Sequence, residues 1–403
     1  MQTWLNQALA ETEAGKEADA ILRSCVHCGF CTAVCPTYQL LGDELDSPRG
    51  RIYQIKSLLE GEEVGPETQL HLDRCLNCRA CETACPSGVQ YARLADIGRA
   101  EVEARVSRSL AQQFMRRTLR WVVPSPARFG FLLKLGRVVR PLLPQSLNRR
   151  IPAAKSAGTW PQIRHARRVL IPAGCVQPAL EPGIDSALAR ILDQRGISAI
   201  PLYSGGCGAV SHHLSAADEA IRRIKANIDA MWPYIEEGIE AIIVTASGCG
   251  AMVQEYGHLL RDDPAYAEKA ARVTALCRDP VQIVEGLELH AAGKGRRIAF
   301  QSPCSLQHAL KLEGRVESLL IRADFELLAV EDTAVCCGSA GTYSILQPKL
   351  AGELKSRKLT ALQKHQPEII ATANIGCLAH LNTASQVPVV HWLELLEEAT
   401  FRI

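Results

Sequence analysis

The sequence lacks any segment that would direct the chain out of the cell or through a membrane. Its first twenty residues contain several acidic residues, no basic start and no unbroken apolar stretch, unlike a signal peptide. No run approaches the roughly 18 apolar residues of a membrane-spanning helix. No GxGxxG follows a predicted strand, so no flavin or dinucleotide site is recognisable. These absences predict a cytoplasmic protein that obtains any flavin chemistry from a partner.

Acidic residues are missing from one long stretch. Residues 105–168 contain 15 Lys or Arg and no Asp or Glu, whereas the rest of the chain has an acidic excess. Aromatic and aliphatic residues alternate with these cations, and 131–140 is amphipathic on a helical wheel, with Lys134, Arg137 and Arg140 opposite the apolar arc. This pattern favours peripheral contact with an anionic membrane. Packing on an acidic partner or on the rest of the chain is the alternative, and no nucleic-acid-binding motif is present.

Cysteine, by contrast, is abundant, with 16 residues in 403. A disulfide framework is typical of small secreted domains, and nothing in this sequence indicates secretion. Eight of the cysteines form two quartets of identical spacing, C-x2-C-x2-C-x3-C-P, which is the bacterial ferredoxin pattern for [4Fe–4S] clusters. The first quartet is Cys25, Cys28, Cys31 and Cys35, and the second is Cys75, Cys78, Cys81 and Cys85.

The fourth cysteine of each quartet is expected to bind the other cluster, as in two-cluster ferredoxins. The sequence therefore predicts two [4Fe–4S] clusters with crossed ligands. Cluster 1 is assigned to Cys25, Cys28, Cys31 and Cys85, and cluster 2 to Cys75, Cys78, Cys81 and Cys35. Zinc is the alternative, but zinc sites are typically built from two cysteine pairs with a spacer rather than four cysteines in eleven residues.

The C-terminal part of the chain contains an internal repeat. From residue 169 onward, short β-rich runs alternate with helical patterns, which indicates α/β units around a mostly parallel sheet. Cysteines recur at nearly constant offsets of 129, 130 and 128 residues, pairing Cys175 with Cys304, Cys207 with Cys337, and Cys249 with Cys377. Each is expected at the carboxyl end of a strand or in the loop after it, the edge where ligands gather in α/β sheets.

The two copies differ in their cysteine sets. The second copy has Cys304, Cys336, Cys337 and Cys377, which favours a further iron–sulfur cluster over cysteines that merely fill the core. The first copy has only Cys175, Cys207 and Cys249, because Gly206 occupies the position of Cys336. An incomplete cluster and a degenerate structural copy are equally compatible with three cysteines. His212 and His213 are candidate ligands or proton carriers, although surface histidines are the commoner case, and Cys277 is predicted to lie in the core.

The two quartets, the intervening SPRGRIY, and the words TASGCGA, CCGSAGTY and TANIGC together resemble the iron–sulfur subunit of glycolate oxidase along essentially the whole chain. Iron–sulfur subunits of anaerobic glycerol-3-phosphate dehydrogenase, lactate-utilisation complexes and heterodisulfide reductase are similar at greater distance. The resemblance implies FAD-binding partner subunits that oxidise glycolate to glyoxylate, and a quinone-type acceptor at the cytoplasmic face of the inner membrane.

The resemblance also implies an oxidoreductase subunit that transfers electrons, has no catalytic residue of its own and is inactive alone. A thiol/disulfide redox enzyme like heterodisulfide reductase is the alternative, as is a lactate or glycerol-3-phosphate dehydrogenase subunit. Both copies depart from the CxxC ending of heterodisulfide reductase, with Cys249-x2-Met252 and Cys377-x2-His380.

The predicted fold is multidomain: an α-helical ferredoxin-type N-terminal domain followed by a duplicated α/β cysteine-rich domain of the CCG type. The predicted limits are 1–104 for the ferredoxin domain, 105–168 for the basic segment, and 169–290 and 291–403 for the two repeat copies.

Overall fold

The computed structural model describes residues 1–142, 144, 151–288 and 293–401. The predicted limit between the repeat copies, at 290 and 291, lies outside the described residues. The multidomain arrangement with two parallel sheets is confirmed, whereas the exact domain limits stay a prediction.

Described residues 1–142 form helices and no strand. The α-helices up to residue 105 are Gln7–Ala10, Glu13–Ser24, Phe30–Ala33, Pro36–Leu41, Pro48–Glu60, Pro66–Asp73, Ala80–Thr83 and Tyr91–Arg105, with a 3-10 turn at Glu44–Asp46. Proline stands in the first turn of the helix that begins at Pro48, and the Ser47 side chain accepts from the amide of Gly50.

The core of residues 1–105 lies between two long helices, Pro48–Glu60 and Tyr91–Arg105. Ile55 and Leu94 are fully buried there. The helices approach so closely that a Cβ atom on Gly98 would lie 2.6 Å from Cγ1 of Ile55. The quartet loops follow two other helices, Glu13–Ser24 and Pro66–Asp73, whose Leu22 and Leu72 are buried in the same core.

Two helices follow in the basic segment, Leu110–Val122 and Pro126–Val139, with a 3-10 turn at Arg140–Leu142. The predicted amphipathic stretch 131–140 therefore lies mainly in the second helix. Among the described residues, no helix has the length and apolar character needed to cross a bilayer.

Each repeat copy contains a four-stranded parallel sheet. The first sheet comprises β1 (Arg167–Pro172), β2 (Ile197–Leu202), β3 (Ala241–Ile243) and β4 (Cys277–Arg278), in the order β2-β1-β3-β4. The second comprises β5 (Arg297–Gln301), β6 (Glu326–Leu328), β7 (Ile369–Thr372) and β8 (Val389–His391), in the order β6-β5-β7-β8. The matching order and direction agree with the duplication inferred from the cysteine offsets.

Helices cover both sheets. Those of the first copy are Gln177–Leu180, Gly183–Asp193, Ala209–His213, Ala217–Glu236, Ser247–Gln254, Tyr256–Leu259, Ala267–Leu276 and Pro280–Val284. Those of the second copy are Ser305–Ala309 (π-type), Arg315–Arg322, Tyr343–Leu346, Pro348–Gln363, Ile375–Asn382 and Trp392–Phe401. The sequence pattern does not predict the short fourth strand of either sheet, Cys277–Arg278 or Val389–His391. One continuous apolar core joins the two copies, with Leu188 of the first and Trp392 of the second both fully buried in it.

Candidate cluster sites

The first quartet surrounds a cavity near the surface. Cys25 ends the Glu13–Ser24 helix. His27 and Gly29 then take positive φ angles of 56° and 86°, which turn the loop tightly. The cysteines that line this cavity are Cys25, Cys28, Cys31, Cys81 and Cys85. The structure thus places Cys85 of the second quartet beside three cysteines of the first.

The second quartet surrounds a neighbouring cavity, whose cysteines are Cys35, Cys75, Cys78 and Cys81. Here Cys35 of the first quartet joins three cysteines of the second. Pro48, Cys81 and Tyr91 line both cavities, so the two share a wall. Cys35 precedes the Pro36–Leu41 helix as predicted, whereas a turn follows Cys85.

The thiols of the two cavities have perturbed acidities. Burial, together with the neighbouring Cys25, raises the pKa of Cys31 to about 11. Burial and the adjacent Cys78 raise the pKa of Cys81 well above its usual value. For Cys75, burial acts in the same direction, but the guanidinium groups of Arg51 and Arg99 outweigh it and lower the pKa. Crowded thiols resist ionisation together, so a full set of thiolates needs cationic metal among them.

The cysteines of the second repeat copy also converge. The Sγ atoms of Cys304 and Cys336 are 3.6 Å apart, and those of Cys337 and Cys377 are 3.2 Å apart. Hydrogen bonds from Cys304 and Cys337 lower the pKa of Cys336 well below its usual value, whereas the pKa of Cys304 is raised. Four thiols at one edge of a sheet form the donor set expected of a soft-metal site.

A buried cation accompanies these four thiols. Lys358 is only 1% exposed, and its Nζ atom donates to the carbonyl oxygens of Asp332 and Thr333 at 2.8 and 3.1 Å. Burial lowers the pKa of Lys358, and the nearby thiols, Cys337 first, oppose that shift. A buried ammonium group needs negative charge nearby, and thiolates of this site would supply it.

The second cavity adjoins this second-copy site. Leu76 packs in one apolar cluster with Val335, Cys336 and Tyr343, and Cys78 and Cys304 border the same cluster. The Thr83 hydroxyl also lies 3.0 Å from Nδ1 of His308. The two cysteine sites are therefore neighbours in space although they are more than 200 residues apart in sequence.

The first copy brings its three cysteines together without completing a quartet. The thiols of Cys207 and Cys249 hydrogen bond, which lowers the pKa of Cys207, and burial raises the pKa of Cys175 to about 12. Pro124 of the basic segment covers the fourth position. A Cβ atom on Gly206 would lie 3.1 Å from Cα of Pro124, and the Gly206 amide donates to the Pro124 carbonyl oxygen at 3.1 Å. A cysteine at 206 would have to displace this contact.

Two placements correct the sequence prediction. Cys249 and Cys377 lie in the first turns of the helices Ser247–Gln254 and Ile375–Asn382 rather than in loops, because each strand ends several residues earlier than expected. Cys277 is buried in β4, as predicted for a core residue.

The candidate histidines His212 and His213, and also His380, contact groups other than thiols. Nε2 of His212 is 3.0 Å from an Asp96 carboxylate oxygen, and His213 is 3.7 Å from the same carboxylate. These histidines join the first repeat copy to the Tyr91–Arg105 helix. Nε2 of His380 is 3.3 Å from the carbonyl oxygen of Ala351.

Four residues near the cysteine sites were missed by sequence reasoning: Arg51, Tyr91, Asp96 and Lys358. Arg51 lies in the motif SPRGRIY, which could have drawn attention to it. Tyr91, Asp96 and Lys358 lie in no motif, and only their three-dimensional contacts connect them to the cysteine sites.

Comparison with known proteins agrees with this geometry. Residues 21–89 match the 4Fe-4S dicluster domain, and residues 169–254 and 298–382 match the cysteine-rich domain. The chain is 53% identical to the glycolate oxidase iron-sulfur subunit of Escherichia coli (strain K12), over 99% of both chains. It belongs to the family of glycolate oxidase iron–sulfur subunits.

More distant members and relatives extend the comparison. A probable glycolate oxidase iron-sulfur subunit of Bacillus subtilis (strain 168) is 30% identical over 94% of each chain. A lactate utilization protein A of Exiguobacterium is 23% identical over 56% of this chain and 94% of its own. The predicted resemblance is therefore confirmed, and so is its more distant branch toward lactate utilisation. The duplicated cysteine-rich domain of this glycolate oxidase family member coincides with its two parallel sheets.

Proposed function

We propose that the chain is the electron-transfer subunit of a flavin-dependent 2-hydroxy acid dehydrogenase that oxidises glycolate to glyoxylate. The observation that carries this proposal is the pair of thiol-lined cavities with a shared wall, next to a third set of thiols. Oxidising glycolate to glyoxylate releases two electrons and two protons, and FAD in partner subunits accepts them as a pair. Iron–sulfur clusters supply one-electron transfer.

In this proposal the helical N-terminal region is a ferredoxin-type domain with two [4Fe–4S] clusters. Cys25, Cys28, Cys31 and Cys85 hold the first, and Cys75, Cys78, Cys81 and Cys35 hold the second. The sharing of each cavity between the two quartets supports clusters over zinc. Cys85 lines the first cavity and Cys35 the second, which is the crossed arrangement of two-cluster ferredoxins, whereas zinc sites are typically built from two cysteine pairs with a spacer.

The second repeat copy is proposed to hold a further iron–sulfur cluster through Cys304, Cys336, Cys337 and Cys377. The buried ammonium group of Lys358 supports this assignment because it offsets the charge of an anionic metal–thiolate group. The first copy, with Cys175, Cys207 and Cys249, is proposed to hold none. Pro124 fills the space where a fourth thiol would stand.

The chain is proposed to be inactive alone, and this can be tested directly. The purified chain should not reduce a dye acceptor with glycolate, and activity should appear when the FAD-binding subunits are added. Glycolate turnover by the chain alone would contradict the proposal. Substituting lactate or glycerol 3-phosphate in the reconstituted complex tests the alternative substrates.

Contact with the cytoplasmic face of the inner membrane, where a quinone-type acceptor would be reached, is proposed for the basic segment. Its two helices leave large apolar side chains uncovered, which is uncommon on a soluble monomer. Those more than half exposed are Leu110, Phe114, Trp121, Phe131, Leu135 and Val138. No acidic residue accompanies them, so the surface suits an anionic leaflet.

Liposome flotation tests this contact. Binding should rise with anionic lipid and fall with salt, and Phe131→Ser with Val138→Ser should reduce it. Lys134→Glu should weaken binding further, because each cation near such a surface contributes on the order of 1 kcal/mol. A matched change in the second repeat copy, Ile321→Ser, also removes an exposed apolar residue and should have no effect. If all variants float to the same extent, either another surface binds the liposomes or the chain does not bind them.

A further inference from the structure

The two cavities of the N-terminal region differ in the charges and hydrogen bonds around them. Net charge, hydrogen bonds to sulfur and solvent exposure set the reduction potential of an iron–sulfur cluster. The buried residues on the wall of each cavity therefore help to determine which of the two clusters has the higher reduction potential.

The second cavity has a buried guanidinium group on its wall. Arg51 lines this cavity and is 1% exposed. Its Nη1 donates to the Thr37 hydroxyl at 3.1 Å, and that hydroxyl lies 3.3 Å from Sγ of Cys35. Arg51 is thus one intervening side chain away from a proposed cluster ligand.

One buried carboxylate is shared by two of the guanidinium groups near this cavity. Asp46 is fully buried and accepts from Arg51 Nη2 at 3.0 Å and from Arg74 Nη1 at 2.8 Å. Two guanidinium groups therefore share one carboxylate. A third, Arg99, donates to the carbonyl oxygen of Cys75 at 2.7 Å and to Oδ1 of Asn77 at 2.9 Å. Asp96 lies 3.8 Å from Arg99 but also binds His212.

A hydroxyl group also contacts a proposed ligand of the second cavity. Tyr91 is 4% exposed, and its hydroxyl donates to Sγ of Cys75 at 3.6 Å. A hydrogen bond to a ligand sulfur stabilises the more negative, reduced state of a cluster.

The first cavity is built differently. Its nearest guanidinium group, Arg49, is 37% exposed and paired with Glu44 at 2.7 Å. The amino terminus donates to the Cys25 carbonyl oxygen at 2.9 Å but is partly exposed. Cys28 is exposed, so water screens these charges.

We propose that Arg51 and Tyr91 raise the reduction potential of the cluster in the second cavity above that of the cluster in the first. This inference rests on the proposed function, because it presupposes a cluster in each cavity. Burial alone would favour the opposite order, since it disfavours the more negative reduced state. The buried guanidinium groups act in a medium of low dielectric and outweigh that effect. The stronger electron acceptor then lies beside Leu76 and Cys336, next to the second-copy site.

The test is a redox titration of the full chain, followed by electron paramagnetic resonance. Cys28→Ser and Cys78→Ser assign each signal to a cavity. The second-cavity signal should appear at the higher potential. Tyr91→Phe should shift its midpoint downward and shift the first-cavity midpoint less, because the hydroxyl contacts Cys75 of the second cavity. Arg51→Met should shift it further, whereas Arg51→Lys, which keeps the charge, should shift it less.

Arg49→Met is the matched control, because it removes an exposed guanidinium group at the first cavity, and it should produce the smaller shift. If Arg51→Met does not fold, Tyr91→Phe and Arg51→Lys still decide. This inference would be overturned, and the proposed function would stand, if both cluster signals are intact and either of two results is found. The first is that these variants leave the second-cavity midpoint unmoved, and the second is that the first-cavity cluster has the higher potential. A wild-type chain without two cluster signals would overturn the proposed function, and this inference with it.

Discussion

Replacing Gly338 by alanine should loosen the second repeat copy at its cysteine site. Gly338 directly follows Cys336 and Cys337, and its φ angle is +86°. A Cβ atom there would lie 2.6 Å from the carbonyl oxygen of Ala351, in the Pro348–Gln363 helix. The left-handed conformation costs an alanine about 1–2 kcal/mol, and forced overpacking adds about 1–3 kcal/mol. Gly338→Ala should therefore destabilise this region by about 2–5 kcal/mol.

Two other glycines separate these contributions. Gly341 has a φ angle of +63°, and a Cβ atom there would meet nothing within 4 Å, so Gly341→Ala should show only the conformational cost of about 1–2 kcal/mol. Gly352 lies inside the Pro348–Gln363 helix with open space around it, and Gly352→Ala should stabilise that helix by about 1 kcal/mol.

Hydrogen exchange of residues 348–363 is the appropriate assay, because a chain with several domains has no single free energy of unfolding. Protection should fall most in Gly338→Ala, less in Gly341→Ala, and rise in Gly352→Ala. Equal losses in Gly338→Ala and Gly341→Ala would refute the close approach to Ala351. The iron content of the second copy should be lowest in Gly338→Ala, higher in Gly341→Ala and highest in Gly352→Ala.

Two further predictions concern pH. Burial raises the pKa of Asp185 to about 7, although hydrogen bonds from Thr245 and Gln177 oppose the shift. The protonated Asp185 therefore stabilises the fold fully below about pH 4, and this contribution is lost as pH rises to 7. The free energy of unfolding should fall by at most about 4 kcal/mol over that range. Asp185→Asn should accordingly increase exchange protection of the Gly183–Asp193 helix at pH 8 and not at pH 4, and an equal effect at both values would contradict this. For His212, burial lowers the pKa but the Asp96 carboxylate outweighs it, with Glu255 assisting and Arg99 opposing, so the net pKa is raised. The ion pair of His212 with Asp96 should stabilise the Tyr91–Arg105 helix below about pH 6.5 and weaken as pH rises through the raised pKa. In His212→Gln, hydrogen exchange of this helix should lose that pH dependence.

The sequence predicted the quartets and the duplication because both are spacing patterns within the sequence itself. The spacing of Cys25, Cys28 and Cys31 lies within one loop, and the duplication is visible in the offsets of 128 to 130 residues between matched cysteines. The convergence of Cys85 with the first quartet was expected only through the ferredoxin pattern, and the structure places it there.

What the sequence did not predict depends on contacts between distant segments. Pro124 covers Gly206, and Leu76 packs beside Cys336, across separations of about 80 and 260 residues. The short strands Cys277–Arg278 and Val389–His391 were missed because two or three residues carry too little periodicity. Their place in the sheets is fixed by pairing with β3 and β7.

Iron analysis with Mössbauer spectroscopy of the full chain, reconstituted without air, tests most directly whether the two quartets bind [4Fe–4S] clusters. Two ferredoxin-type clusters predict at least about eight irons per chain in [4Fe–4S] form. Cys35→Ser should impair the second-cavity cluster and Cys85→Ser the first, because the fourth ligands are crossed. About two metal ions per chain, with zinc as the metal, would contradict the assignment of two [4Fe–4S] clusters to the quartets.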